Sequence, residues 1–200
     1  MIEINSVWEE LKSRIEKCQK CELCRTRHNV VVGEGPLDKN KLMIIGEAPG
    51  EDEDLSGRPF VGKAGQLLTN ILEKGGNIRR DSVYITNTVK CRPPENRNPD
   101  LQEIASCRDF LESQILLLNP KIIVTLGNIS TKALLGLSQG ITTLRGKWFD
   151  WRGIKVLPMF HPSYLLRDTS NSKEKNSPKY LTWMDILAVK AKMDELLKDK

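Results

Sequence analysis

Four short apolar runs, each separated from the next by a stretch of helical periodicity, leave few folds open to this chain. They occupy residues 42–45, 83–86, 122–126 and 154–160. Runs this short read as buried strands, and the spacing between them leaves room for a crossover helix each time. Residues 64–74 have helical spacing and end on Gly75-Gly76, a stop signal. Pro99-Asp100 opens a longer helix, with Leu101, Ile104, Leu111, Ile115 and Leu118 inward, that stops before Pro120. Shorter helical stretches cover 130–135 and, near the end, 178–197. Ahead of the alternation, Ile4, Val7, Trp8, Leu11 and Ile15 mark a first amphipathic helix. The pattern predicts a three-layer α/β/α sandwich around a four-stranded, mainly parallel sheet. Residues 168–177 are polar but too near the end to separate two domains, so residues 1–200 read as one domain with a mobile loop.

Ligand crevices in open α/β sheets lie at the carboxyl ends of the strands. There the chain carries Gly46-Glu-Ala-Pro-Gly50, Asn87, Gly127-Asn128 and His161-Pro-Ser163. Their convergence on one edge marks the expected site. His161 has a plain alternative as a loop histidine bonded to a carbonyl. Residues 51–54 are four consecutive acids, which read either as a solvated turn or as a divalent-metal site.

No apolar run approaches 18 residues, so no ordinary membrane-spanning helix is expected. The start, Met1-Ile2-Glu3, shows no basic leader, so a cytoplasmic protein is expected. In a reducing compartment the five cysteines read as ligands, catalytic groups or core thiols rather than disulfides. Cys18-x2-Cys21 can grip one metal centre, and Cys91 and Cys107 can close it. Cys107 also shares a helical face with Ile104 and Leu111, as a core thiol would. Cys24 extends the pair to a ferredoxin-like run. Spacing leaves open which four bind, and whether the centre is zinc or iron–sulfur. The net charge of +5 permits a nucleic-acid partner, with basic residues at Lys90, Arg92 and Arg97, at 145–155, and at Arg167, Lys173, Lys175 and Lys179. Aromatic residues are only 6%, too few for an extended stacking platform for single strands.

Taken together, several motifs resemble the family 4 uracil-DNA glycosylases, the iron–sulfur members of that superfamily. They are Cys18-x2-Cys21-x-Leu23, residues 31–35, 46–54 and 57–65, Tyr84-Ile-Thr-Asn87, Lys90-Cys-Arg-Pro-Pro-Glu-Asn-Arg97, Cys107, and residues 161–167. The resemblance implies a 4Fe–4S cluster on Cys18, Cys21, Cys91 and Cys107, leaving Cys24 outside the pattern. It also implies a uracil pocket lined by Glu47, Ala48, Phe60, Asn87 and His161. Ala48 stands where other families of the superfamily carry a water-activating aspartate, so Glu47 and Glu53 are the candidate bases.

The implied chemistry is coherent. A flipped uracil would stack on Phe60, pair with the Asn87 carboxamide, and receive a hydrogen bond at O2 from His161 as charge develops there. Glu47 would face the sugar, and Pro162 and Ser163 would grip phosphates. Leu165 would fill the gap in the duplex, and Arg167 would contact the backbone. The expected partner is uracil-containing DNA, bound by a monomer. Three readings compete: a relative that traps uracil on a histidine, a DNA- or uracil-binding module with a zinc knot, and a redox protein. The first is disfavoured because residues 91–99 contain no histidine.

Overall fold

In the first strand, β1 (Leu42–Gly46), Met43 and Ile45 join one apolar cluster while Leu42 and Ile44 join the other. That alternation is what a strand covered on both faces produces. The computed structural model describes residues 4–38, 41–170 and 174–198. The start at Met1-Ile2-Glu3, Lys173 and the centre of the 168–177 loop lie outside the described residues.

The sheet runs β2 (Tyr84–Asn87), β1, β3 (Ile122–Leu126), β5 (Ile154–Met159), β4 (Phe149–Trp151). The first four are parallel, as expected, but the sheet has five strands, not four. The added β4 is antiparallel to β5 across a two-residue turn, Arg152-Gly153, with φ of +51° and +84°. Positive φ at both positions gives the turn whose twist suits a hairpin. Three residues are too few to show an alternation, and Arg152 is not a usual residue for that turn.

Helices cover both faces, giving the three layers expected. Residues of α1 (Ile4–Glu16) and α4 (Leu101–Leu118) pack against Met43, Ile45 and Tyr84. Trp8 meets the Tyr84 ring edge-on at 5.6 Å. On the opposite face α3 (Lys63–Asn70) and α8 (Pro178–Lys198) supply Leu68, Ile186 and Val189. Among the described residues no helix is long and apolar enough to cross a membrane.

Several local expectations change. The helix predicted over 64–74 ends at Asn70 and continues as one π-helical turn, Ile71–Gly75. Gly75 and Gly76 lie under Trp183 and Ile186 of α8, where a side chain would crowd them. Val7 and Leu101 were expected inward but are exposed, Leu101 by 85%. At Leu101 the cap decides. Asp100 and Glu103 form a reciprocal capping box, which turns Glu103 inward onto Arg97. The buried face then runs through Cys107, Phe110, Leu111 and Gln114.

At the carboxyl edge of the sheet, four short helices shape the loops. They are α2 (Glu51–Ser56), α5 (Gly127–Leu135), α6 (Ile141–Leu144) and α7 (Pro162–Arg167).

Candidate active site

A cleft of about 620 Å³ opens over the carboxyl ends of β1, β2, β3 and β5. Glu47, Ala48, Phe60, Asn87 and His161 all line it, so the structure gathers the whole expected pocket. Ser163 and Arg167 line it too.

Asn87 is the last residue of β2 and is buried. Its Oδ1 is the one buried side-chain polar atom without a hydrogen-bond partner among the described residues. An unpaired buried acceptor costs about 1–3 kcal/mol, so its retention suits an atom kept for a ligand. Gly46 faces Asn87 in the β1–β2 register. A Cβ there would lie 2.3 Å from Asn87 Oδ1 and 2.6 Å from Phe60 Cζ. Glycine at 46 therefore keeps open the gap between carboxamide and ring.

Phe60 holds its ring in place through unusual backbone. Its φ is +53°, in the left-handed region that non-glycine residues rarely adopt. Gly65 lets α3 approach, since a Cβ there would sit 1.9 Å from the Phe60 carbonyl oxygen. Glu53 secures the turn. Its Oε1 accepts from the Val61 and Gly62 amides, each at 2.9 Å, and its Oε2 accepts from the Gly50 amide at 3.0 Å. This carboxylate is a staple between the two walls of the cleft, which weighs against Glu53 as the base.

The acidic run is α2, not a solvated turn. Beside Glu53, Asp54 is buried and accepts from the His28 and Asn29 amides and from His28 Nδ1. Two of the four carboxylates thus bind backbone amides rather than solvent.

His161 caps α7. Its Nδ1 accepts from the Ser163 amide at 3.2 Å and lies 2.8 Å from Ser163 Oγ. An amide can only donate, so Nδ1 is unprotonated and the neutral ring carries its proton on Nε2. Burial, helped by the charge of Arg167, pushes the His161 pKa down to about 4. A neutral N–H donor is therefore in place. The His161 and Phe60 rings lie 5.9 Å apart. Ser163, expected at a phosphate, has its hydroxyl committed to His161. The Glu47 carboxylate has no hydrogen-bond or ion-pair partner among the described residues, and burial raises its pKa.

Of the residues expected to face the duplex, two are buried. Leu165 is only 3% exposed and lines an apolar recess with Leu67, Ile71 and Trp183. Pro162 is buried as well. The outward residues of α7 are Tyr164, Leu166 and Arg167. Arg167 is exposed, and no ion pair holds it among the described residues. Arg97 also borders the cleft but pairs with Glu103. Arg145 is tied to Asp185, and Arg152 and Lys155 lie at the distant β4–β5 hairpin.

A second cavity lies behind Asn87, on the α1–α4 side. Cys18, Cys21, Cys24, Cys91 and Cys107 all line it, and none is in a disulfide. Arg27 donates to Cys91 Sγ at 3.1 Å and to the Cys18 carbonyl at 2.9 Å. Burial pushes the Cys91 pKa up to about 11 and raises those of Cys21 and Cys107. Thiolates here need a positive centre to be stable, and thiols of this kind could hold a metal group. Among the described residues no three side chains are gathered as a single bound ion requires. Lys90, expected on a basic surface, is instead fully buried beside this cavity.

Comparison with known proteins bears on the cleft. Residues 32–186 match the model of the uracil DNA glycosylase superfamily. The chain is 52% identical over 165 residues to a type-4 uracil-DNA glycosylase of Thermotoga maritima, covering 82% of this chain and 85% of the relative. A type-4 enzyme of Sulfurisphaera tokodaii is 46% identical over 166 residues, covering 79% and 75%. A type-5 uracil-DNA glycosylase of Pyrobaculum aerophilum is 30% identical over 141 residues, 62% of either chain.

Proposed function

The chain belongs to the uracil-DNA glycosylase superfamily and, within it, to the type-4 enzymes that remove uracil from DNA; on that premise we propose how its own residues do so. A uracil nucleotide turns out of the base stack into the cleft, and its N-glycosidic bond is hydrolysed to free uracil and an abasic site. The observation that carries this reading is the orphaned Asn87 Oδ1, buried beside the gap that Gly46 keeps open. With its oxygen toward N3–H and its amino group toward O4, the Asn87 carboxamide pairs with uracil and mismatches cytosine. The Phe60 face stacks on the base.

As the glycosidic bond stretches, negative charge gathers on O2 of the departing base. The Nε2–H of neutral His161 meets it there, a fixed donor oriented before the reaction by Ser163. Glu47 faces the cationic sugar and takes the proton of the attacking water. Its carboxylate, without a side-chain partner among the described residues, and its raised pKa suit that part. Arg167 holds a backbone phosphate, and Tyr164 with Leu166 meets the duplex.

For the second cavity we propose a 4Fe–4S cluster on Cys18, Cys21, Cys91 and Cys107. Ligands of a cluster stand further apart than those of one ion, which suits five thiols around a shared cavity. Bound there, the cluster would cross-link the N-terminal segment to α4 and the loop after β2, while hydrolysis itself requires no electrons.

One assay tests the central reading. The protein is incubated with a uracil-containing oligonucleotide in EDTA, and abasic sites are then cleaved with alkali. Strand scission at the uracil is expected with chelator present. Activity that vanished with EDTA and returned with magnesium would require a catalytic divalent metal.

A further inference from the structure

We propose that Lys90 is a positioning residue that fixes the Asn87 carboxamide in the cleft. This rests on the proposed reading of Asn87 as the residue that recognises uracil. Lys90 is among the largest fully buried side chains, at 1% exposure. Lysine is almost never fully buried without partners that answer its charge. Here its Nζ donates to the Asn87 carbonyl and to Thr86 Oγ1, both at 2.7 Å.

Sheet topology explains why that bond matters. β2 is an edge strand, with β1 on one side only. On the open side Ile85 exchanges both backbone hydrogen bonds with Glu34. The next backbone group pointing the same way belongs to Asn87, two residues on. Among the described residues no strand amide reaches its carbonyl, and the ammonium of Lys90 stands in that place. Holding this carbonyl fixes the peptide plane after Asn87, and with it the direction in which the carboxamide leaves the backbone.

The ammonium is itself held. Thr86 Oγ1 donates to the Val32 carbonyl at 2.9 Å, and Gln114 Nε2 donates to the same carbonyl and to the Tyr84 hydroxyl. The network spans β2, α4 and the segment before β1. A methionine at 90 would fill the same volume and leave the Asn87 carbonyl without its donor.

The test compares Lys90→Met, Asn87→Ala and the double variant. It measures iron per chain, kcat and KM on a uracil oligonucleotide, and inhibition by free uracil. Lys90→Met is expected to keep its iron while losing about 10- to 100-fold in kcat/KM and a similar factor in uracil inhibition. Adding Lys90→Met to Asn87→Ala is expected to change little, because the two residues act as one unit. Parental uracil inhibition in Lys90→Met, with Asn87→Ala impaired, would overturn the proposal and leave the reading of Asn87 intact. Parental inhibition in Asn87→Ala would overturn both. Iron lost in step with activity would place the action of Lys90 at the thiols instead. If Lys90→Met does not fold, Thr86→Val should weaken uracil inhibition several-fold, roughly one hydrogen bond, and Thr86→Ser should restore it. Equal inhibition in those two variants would overturn the proposal.

Discussion

Gly46 and Asn87 stand opposite each other in the parallel register of β1 and β2, and a methyl group on Gly46 would lie 2.3 Å from the Asn87 carboxamide oxygen. It would also press on Phe60. Gly46→Ala is therefore expected to fill the place of the uracil edge. Displacing a bound base by about 1 Å lowers rates by about 10²-fold. Single-turnover rates should fall by at least that much while affinity for undamaged DNA stays at the parental value. A fully active Gly46→Ala would show that the base binds elsewhere.

Base choice follows from the same carboxamide. Cytosine presents an amino donor at C4 and a bare N3, the reverse of uracil. Each buried mismatch costs about 1–3 kcal/mol, and two together reject cytosine by about 10⁴-fold. Asn87→Asp should lose most uracil release and gain slight cytosine release, since a protonated carboxyl can donate to N3. Asn87→Ala should weaken uracil release without that gain. Oligonucleotides carrying each base in one sequence decide the matter.

The pH profile separates the two catalytic groups. Glu47 must be ionised to take a proton, and burial raises its pKa above the ordinary carboxylate value. Activity should thus fall with decreasing pH on a limb lying above that ordinary value. His161 protonates only near pH 4, below the region where the limb is expected. Residual activity of His161→Gln should keep the acid limb, and that of Glu47→Gln should lose it. A limb that disappeared with His161 instead would reverse the assignment.

On α7 two neighbouring leucines should behave oppositely. Leu165→Ala removes a buried side chain, and melting should report a loss of about 2–5 kcal/mol. Tyr164→Ala and Leu166→Ala should melt like the parent and lose activity on duplex more than on single strands. Arg167→Ala should flatten the salt dependence of DNA binding by about one unit, as the loss of one phosphate contact requires.

The thiols make a prediction visible to the eye. Purified protein should be brown, with about four irons per chain. Cys24→Ala should stay coloured, whereas Cys21→Ala should be pale and less stable. The reverse pattern would exchange the two ligands.

The parallel strands and the pocket residues at their ends were legible because each rests on local pattern, whereas Phe60 was placed only by the family resemblance. Buried strands are short apolar runs, and Asn87 and His161 directly follow two of them. Glu53, Leu165 and Lys90 were not legible in the same way. The burden on Glu53 comes from amides eight and nine residues away, brought near only by the turn at Phe60. Leu165 and Leu166 are alike in composition, and only the docking of α7 on the α8 side separates them. Lys90 reads as surface charge until the open edge of β2 is known. The hairpin strand β4 was lost to its brevity.

The thiol cavity also imposes an order on synthesis. Its walls come from residues 15–27, 89–91 and 103–110, so the first cysteine waits 89 positions for the last of its thiol neighbours, Cys107. At translation speeds of about 5–20 residues per second, that is an interval of roughly 4–18 s. During it Cys18, Cys21 and Cys24 travel on a nascent chain whose α4 wall has not been made. Until α4 has been made, these three thiols have neither Cys107 nor the α4 wall beside them.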